Sequence, residues 1–134
     1  MEKYKLDCSP KCKPQAIIQG DKYRISVLTE ALVRLEYSKE GKFEDRATQM
    51  VVNRDFPEVS YEVKETEGEL VLYTSCLELH YNKQEFSSNG LFISVKGSRL
   101  AHTIWYYGDE PKDLGGTART LDVADGAIPL EHGV

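Results

Sequence analysis

Apolar and polar residues alternate strictly in short runs along most of this chain, and this pattern restricts its fold more than any other feature. Every second residue is apolar at positions 23–27 and again at 33–37. Side chains two residues apart lie on the same face of a β-strand, so the spacing predicts strands with one buried face. Arg24 and Ser26, which stand between apolar residues, are predicted to face solvent. Further runs lie at residues 59–64, 70–72, 77–81 and 91–95.

Glycine next to polar residues marks turns between these runs. Such pairs are Gln19-Gly20, Glu40-Gly41, Glu67-Gly68, Asn89-Gly90 and Lys96-Gly97. They favour tight connections and hence antiparallel hairpins. No stretch of ten or more residues has a helical period, and residues 29–32 are too few for a helix. The sequence predicts an all-β fold, an antiparallel β-sandwich over residues 1–108, followed by an irregular loop segment over residues 109–134.

Composition excludes several classes of protein. The 134 residues, 40% of them hydrophobic, suit one globular domain with its own core. The 17 Lys and Arg residues are spread among 22 acidic residues, so the chain lacks the basic stripe of a nucleic-acid binder. Residues 1–15 are polar with no apolar run behind them. We therefore expect neither a signal peptide nor a membrane span, and a cytoplasmic protein.

Metal, cofactor and nucleophile patterns are not found in the sequence. Cys8 and Cys12 have the spacing of half a zinc site, but the three histidines are too far apart to complete it. No serine stands in a Gly-x-Ser-x-Gly elbow. The glycines at 115 and 116 lack the Lys and Ser or Thr of a phosphate-binding loop. We predict no metal and no cofactor.

Three segments are candidate functional sites. Phe43, Glu44, Asp45 and Arg46 form either a solvated turn or a loop that contacts a sugar through hydrogen bonds and a ring. Residues 103–108 hold three consecutive aromatic residues, which must point to both faces of a strand, so that one face is a ligand platform or a domain interface. Residues 114–122 combine paired glycines with Arg119 and Asp122, as expected of a loop that lines a pocket.

Five segments, taken in chain order, resemble the N-terminal region of glycoside hydrolase family 31. They read YRISVLT at 23–29, LEYS at 35–38, FEDRATQ at 43–49, WYYG at 105–108 and LGGTARTLD at 114–122. In that family the region is a β-sandwich of the galactose-mutarotase-like type that precedes a (β/α)8 barrel. Most members are retaining α-glucosidases or α-xylosidases. The resemblance implies a non-catalytic N-terminal domain of an α-glucosidase-like enzyme, with residues 109–134 leading toward the barrel.

The resemblance also implies where the chemistry lies. A retaining glycosidase needs two carboxyl groups about 5 to 5.5 Å apart, and the family carries both on the barrel, so no catalytic residue is assigned here. Phe43, Asp45, Arg46 and Trp105 become candidates for contact with substrate or barrel. Arg119 and Asp122 are a further pair, which contacts the barrel or braces its own loop through an ion pair.

The partners that follow are the catalytic barrel and an α-glucoside or oligosaccharide substrate. A surface that normally meets the barrel would be uncovered in this chain, and we therefore expect self-association. The alternative interpretation is a free-standing carbohydrate-binding module that uses Trp105, Tyr106 and Tyr107 as a stacking platform.

Overall fold

A computed structural model describes residues 7–48, 51–97 and 103–110 of the protein, and these residues form eight β-strands in two antiparallel sheets. In the described ranges the only helical segment is one 3-10 turn, Pro14–Ala16. The predicted all-β fold is confirmed. The strands are β1 Ile17–Gln19, β2 Tyr23–Thr29, β3 Leu32–Tyr37, β4 Glu62–Glu65, β5 Leu70–Tyr73, β6 Leu77–Tyr81, β7 Leu91–Val95 and β8 Ile104–Tyr106.

Strands that are neighbours in the chain are also neighbours in each sheet. One sheet has the order β1-β2-β3 and the other β4-β5-β6-β7-β8, with every pair antiparallel. The predicted turns at Gln19-Gly20 and Glu67-Gly68 join β1 to β2 and β4 to β5, because short polar connections bring consecutive strands side by side. The predicted turn at Glu40-Gly41 follows β3 and joins no pair of neighbouring strands. Ile25 lies opposite Leu35 in the first sheet, and Leu79 lies opposite Leu72 and Ile93 in the second. Apolar residues therefore share a row across each sheet.

The inner faces of the two sheets share one hydrophobic core, as in a sandwich. Ile25 and Val27 of β2 belong to the same buried cluster as Leu72 and Leu79 of the second sheet. Burial of a side chain such as Leu79 contributes about 1.5–3 kcal/mol of stability. The rings of Tyr23 and Tyr81 also meet edge to face between the sheets, with centroids 5.1 Å apart. Other members of the cluster are Leu70 and Leu91.

The prediction of a solvent-exposed face is wrong for β2. Arg24 is only 6% exposed and Ser26 is fully buried, so this strand is covered on both faces. The chain after β3 crosses the outer face of the first sheet, and its residues 44 and 45 contact Arg24. Burial of Arg24 is possible because its guanidinium meets carboxylates there, as buried charges require.

One predicted strand is shorter than expected, and one observed strand was not predicted. The run at residues 59–64 yields a strand only from Glu62, while Val59 and Tyr61 pack against the core from the irregular segment before it. β1 was not predicted, because its three residues are too few to alternate. Residues 111–134, which hold most of the predicted loop segment, lie outside the described residues. Within the described ranges, no helix is long and apolar enough to cross a membrane.

Candidate functional site

Arg24 is the centre of a polar cluster on the outer face of the three-stranded sheet. Its Nε donates a hydrogen bond to Glu36 Oε2 at 2.7 Å, and its Nη2 donates to Glu36 Oε1 at 3.0 Å. The two residues are direct cross-strand partners in the β2-β3 register, which places guanidinium and carboxylate opposite one another. Arg34, two residues before Glu36, brings its Nη2 to 2.9 Å from the same carboxylate.

The cluster anchors the loop at residues 43–48, which contains three of the predicted site residues. Arg24 Nη1 donates to Asp45 Oδ1 at 2.8 Å, and the Glu44 carbonyl accepts from Arg24 at 3.1 Å and from Arg34 at 2.7 Å. The Phe43 ring centroid lies 5.1 Å from the guanidinium carbon of Arg24, a cation-π distance. Phe43 and Asp45 are thus held in place by the sheet beneath them.

Neighbouring carboxylates and burial shift the pKa of Arg24 and of Arg34 in opposite directions. Hydrogen bonds to Glu36 raise the pKa of Arg24, against the effect of its burial. Burial lowers the pKa of Arg34, which Glu36 offsets only in part while Arg54 and Arg24 add like charge. Both groups stay cationic at neutral pH, because the ordinary pKa of a guanidinium lies far above neutrality. The cluster therefore sets two guanidinium groups against two carboxylates, those of Glu36 and Asp45.

Asp45 and Arg46 are neighbours in sequence but differ in environment. Only Oδ1 of Asp45 takes part in a hydrogen bond among the described residues, and 48% of its side chain is exposed. The Arg46 side chain is 88% exposed and pairs with Glu44, with Nη2 and Oε2 2.7 Å apart. Hydrogen bonds from Arg46 lower the pKa of Glu44 to about 2. Arg46 thus fits the solvated turn, whereas Asp45 is anchored and still accessible.

Arg54 joins the loop to the N-terminal part of the chain. Its Nη1 donates to the carbonyls of Pro10 and Arg46, both at 2.9 Å, and the residue is 3% exposed. The parallel bridge between Ser9 and Asn53 lies beside it. The sequence analysis missed Arg54, Arg24 and Glu36 as organising residues.

Trp105 lies elsewhere, in β8 at the edge of the five-stranded sheet. Its indole ring packs against Tyr107 with centroids 6.4 Å apart, and Tyr107 packs against Phe86 at 5.4 Å. Among the described residues no hydrogen bond, ion pair or ring contact joins Trp105 to the 43–48 loop. The predicted site residues therefore fall into two separate groups.

The three consecutive aromatic residues use both faces of β8, as predicted. Trp105 and Tyr107 meet on one side, whereas Tyr106 lies on the other against Phe92, with centroids 5.8 Å apart. Phe92 in turn stacks on His80, at 4.7 Å and nearly parallel. A single platform of all three consecutive rings is therefore not formed, because successive side chains of a strand point to opposite faces. His80, Phe92 and Tyr106 instead form one row across three strands.

Two predicted site residues, Arg119 and Asp122, lie outside the described residues, together with the whole segment 114–122. Among residues 7–48, 51–97 and 103–110, no group of three His, Cys, Asp or Glu side chains is placed to hold a metal ion. The chain matches no family model, and no curated protein is significantly similar to it.

Proposed function

We propose that this chain is the non-catalytic N-terminal β-sandwich of a retaining α-glucosidase-like glycoside hydrolase of family 31. One observation supports the proposal above all. Three of the five segments that resemble the family contribute Arg24, Glu36 and Asp45, and these side chains form one hydrogen-bonded cluster. The segments therefore belong to one structural unit, which favours a common family origin over a chance likeness of short strings.

In this role the cluster holds the loop at residues 43–48 ready to meet the barrel. Asp45 is fixed through Oδ1, and its exposed side can accept a hydrogen bond from a sugar hydroxyl or from a group on the barrel. A loop that is already ordered loses less conformational entropy on binding. Binding residues also concentrate on loops carried by a rigid scaffold. The chemistry itself would belong to carboxylates of the barrel.

The first test is an assay of the chain alone with p-nitrophenyl α-glucoside. We expect no release of nitrophenol above the buffer rate, because no pair of carboxyl groups is assigned here as nucleophile and acid. Release that rises in proportion to the concentration of the purified chain would contradict a non-catalytic domain.

The second test uses the enzyme that contains both this domain and a barrel. Asp45→Asn should raise KM several-fold with little change in kcat, the pattern of a lost binding contact. Asp55→Asn is the matched control, because its carboxylate is similarly exposed and makes one ion pair, with Lys13 at 3.2 Å. Equal effects of the two substitutions on KM would remove Asp45 from the substrate pocket.

A second candidate function is a carbohydrate-binding module, and the row of His80, Phe92 and Tyr106 favours it. This row lies on the face of the five-stranded sheet opposite the core residues Leu79 and Leu91. Rings aligned across a sheet can stack on the apolar faces of sugar rings. The Glu78 carboxylate, 2.8 Å from His80 Nε2, adds a hydrogen-bond acceptor beside the row.

Titration calorimetry with maltose and isomaltose distinguishes the module from the docking domain. Saturable binding at micromolar concentrations that is lost in Tyr106→Ala would support the module. Tyr107→Ala is the control, because this residue is equally exposed but lies on the other side of the strand. No heat of binding at millimolar sugar would reject the module.

A further inference from the structure

An apolar groove opens at the end of the three-stranded sheet where β2 turns into β3. It has a volume of about 260 Å³, and its walls come from the turn and from the segment after the 43–48 loop. Leu32 and Val51 stand at the open side, with 47% and 39% of their surfaces exposed. The other apolar lining residues are Leu28, Val33 and Phe56.

Arg54 lines this groove and lacks one hydrogen-bond partner within the described part of the chain. Its Nη1 is used by two backbone carbonyls, but its buried Nε has no hydrogen-bond partner among the described residues. The other two buried or half-buried arginines of the cluster, Arg24 and Arg34, each contact the carboxylate of Glu36. Arg54 contacts no carboxylate in the described part of the chain. A buried charge and a buried donor without partners both destabilise a folded protein.

The surroundings of Arg54 favour an anion with an apolar body. Arg34 also lines the groove, so that two arginine residues border one space whose remaining walls are largely apolar. Attraction between opposite charges is strong where water is excluded. The planar fork of a guanidinium matches a carboxylate in geometry. A bare inorganic anion would satisfy the charge but leave the exposed side chains of Leu32 and Val51 uncovered.

We propose that this groove binds a small organic monocarboxylate, with its carboxylate on Arg54 and its apolar body against Leu28, Leu32 and Phe56. A volume of about 260 Å³ is room for a short-chain acid, since about 10–15 Å³ of space of this kind already holds one water. The proposal does not depend on the glycosidase role, because no residue that lines the groove belongs to the loop at residues 43–48 or to the row of His80, Phe92 and Tyr106.

The test is an NMR titration of the 134-residue chain with hexanoate, followed through backbone amides and the arginine Nε-H resonances. We expect saturable shifts at Leu32, Val33, Asn53 and Arg54 Nε in the millimolar range. Hexan-1-ol lacks the charge and acetate lacks the apolar body, so each should bind at least about tenfold more weakly. Hexan-1-ol binding as tightly as hexanoate would overturn the role of Arg54.

A pair of surface variants keeps the test independent of folding defects. Substitution of Arg54 itself would also release the carbonyls of Pro10 and Arg46, so the groove is altered at its mouth instead. Leu32→Glu places a competing carboxylate there and should weaken hexanoate binding about tenfold or more. Val95→Glu is the control, on a similarly exposed residue of the other sheet. No shifts with the unsubstituted chain, or equal weakening by both variants, would overturn the proposal.

Discussion

Replacing Glu36 with glutamine removes the carboxylate that contacts two guanidinium groups on the outer face of β2. Glu36 accepts hydrogen bonds from Arg24 at 2.7 and 3.0 Å and lies 2.9 Å from Arg34. In the variant Asp45 is the one carboxylate that still pairs with Arg24 among the described residues, and Arg34 loses its carboxylate. Removal of one partner from a buried ion pair costs about 3–5 kcal/mol. We expect about 3 kcal/mol, because the glutamine oxygen still accepts one hydrogen bond.

The assay is a urea titration followed by far-UV circular dichroism, which gives the free energy of unfolding. A loss of about 3 kcal/mol corresponds to a fall in Tm of about 10 °C for a chain of this length. Glu40→Gln is the control, because Glu40 pairs with Lys42 on the surface, and such pairs contribute about 0–1 kcal/mol. If Glu36→Gln costs no more than Glu40→Gln, the cluster does not stabilise the fold and our explanation for the burial of Arg24 is refuted.

Three further substitutions test the contacts of His80 with Glu69 and Glu78, the turn at Gly41 and the hydrophobic core. Burial of His80 opposes its charge, but hydrogen bonds to two carboxylates raise its pKa above the usual value. The stabilisation by protonated His80 is therefore fully present below about pH 6.5 and is lost as the pH rises through the raised pKa. His80→Gln should remove this pH dependence from the free energy of unfolding measured in urea titrations. Gly41 has φ +69°, and an added Cβ would lie 2.7 Å from the Asp21 carbonyl oxygen. Gly41→Ala should lower Tm well beyond Gly97→Ala. Gly97 has a similar φ and no atom of the described residues within 4 Å of an added Cβ, so only about 1 kcal/mol of backbone strain is expected there. Leu79→Ala should cost about 3–5 kcal/mol in the same titrations, and a loss below about 1 kcal/mol would contradict its place in the shared core.

Most strands could be predicted because their burial alternates. In β6 the residues Leu77, Leu79 and Tyr81 are buried and those between them are half-exposed, so the period of two is visible in the sequence. The run at residues 59–61 has the same period but lies in an irregular segment. Apolar side chains at alternate positions can reach the core without pairing with another strand, and pairing depends on contacts far away in the chain.

The polar cluster could be predicted only in part. Arg24 and Glu36 carry opposite charges on strands joined by a short turn, so a cross-strand pair between them was available to sequence analysis. The burial of Arg24 was not, since it depends on Asp45, 21 residues further on, and on the path of a loop over the sheet. The role of Arg54 could not be predicted from the sequence, because its hydrogen-bond acceptors are backbone carbonyls, which every residue possesses.

Each sheet is built from strands that follow one another in the chain, and this order bears on how the molecule assembles. Within each sheet, a short segment of chain connects each pair of neighbouring strands. The longer segment of residues 38–61 connects the last strand of the first sheet to the first strand of the second. Folding is faster when contacting residues are close in sequence, and the entropy of closing a loop grows by only about 0.6 kcal/mol per doubling of its length. We expect the two meanders to form early and their docking to limit the rate. Stopped-flow refolding should then be slowed by Leu79→Ala in the shared core but little affected by a short glycine-serine insertion between residues 58 and 59.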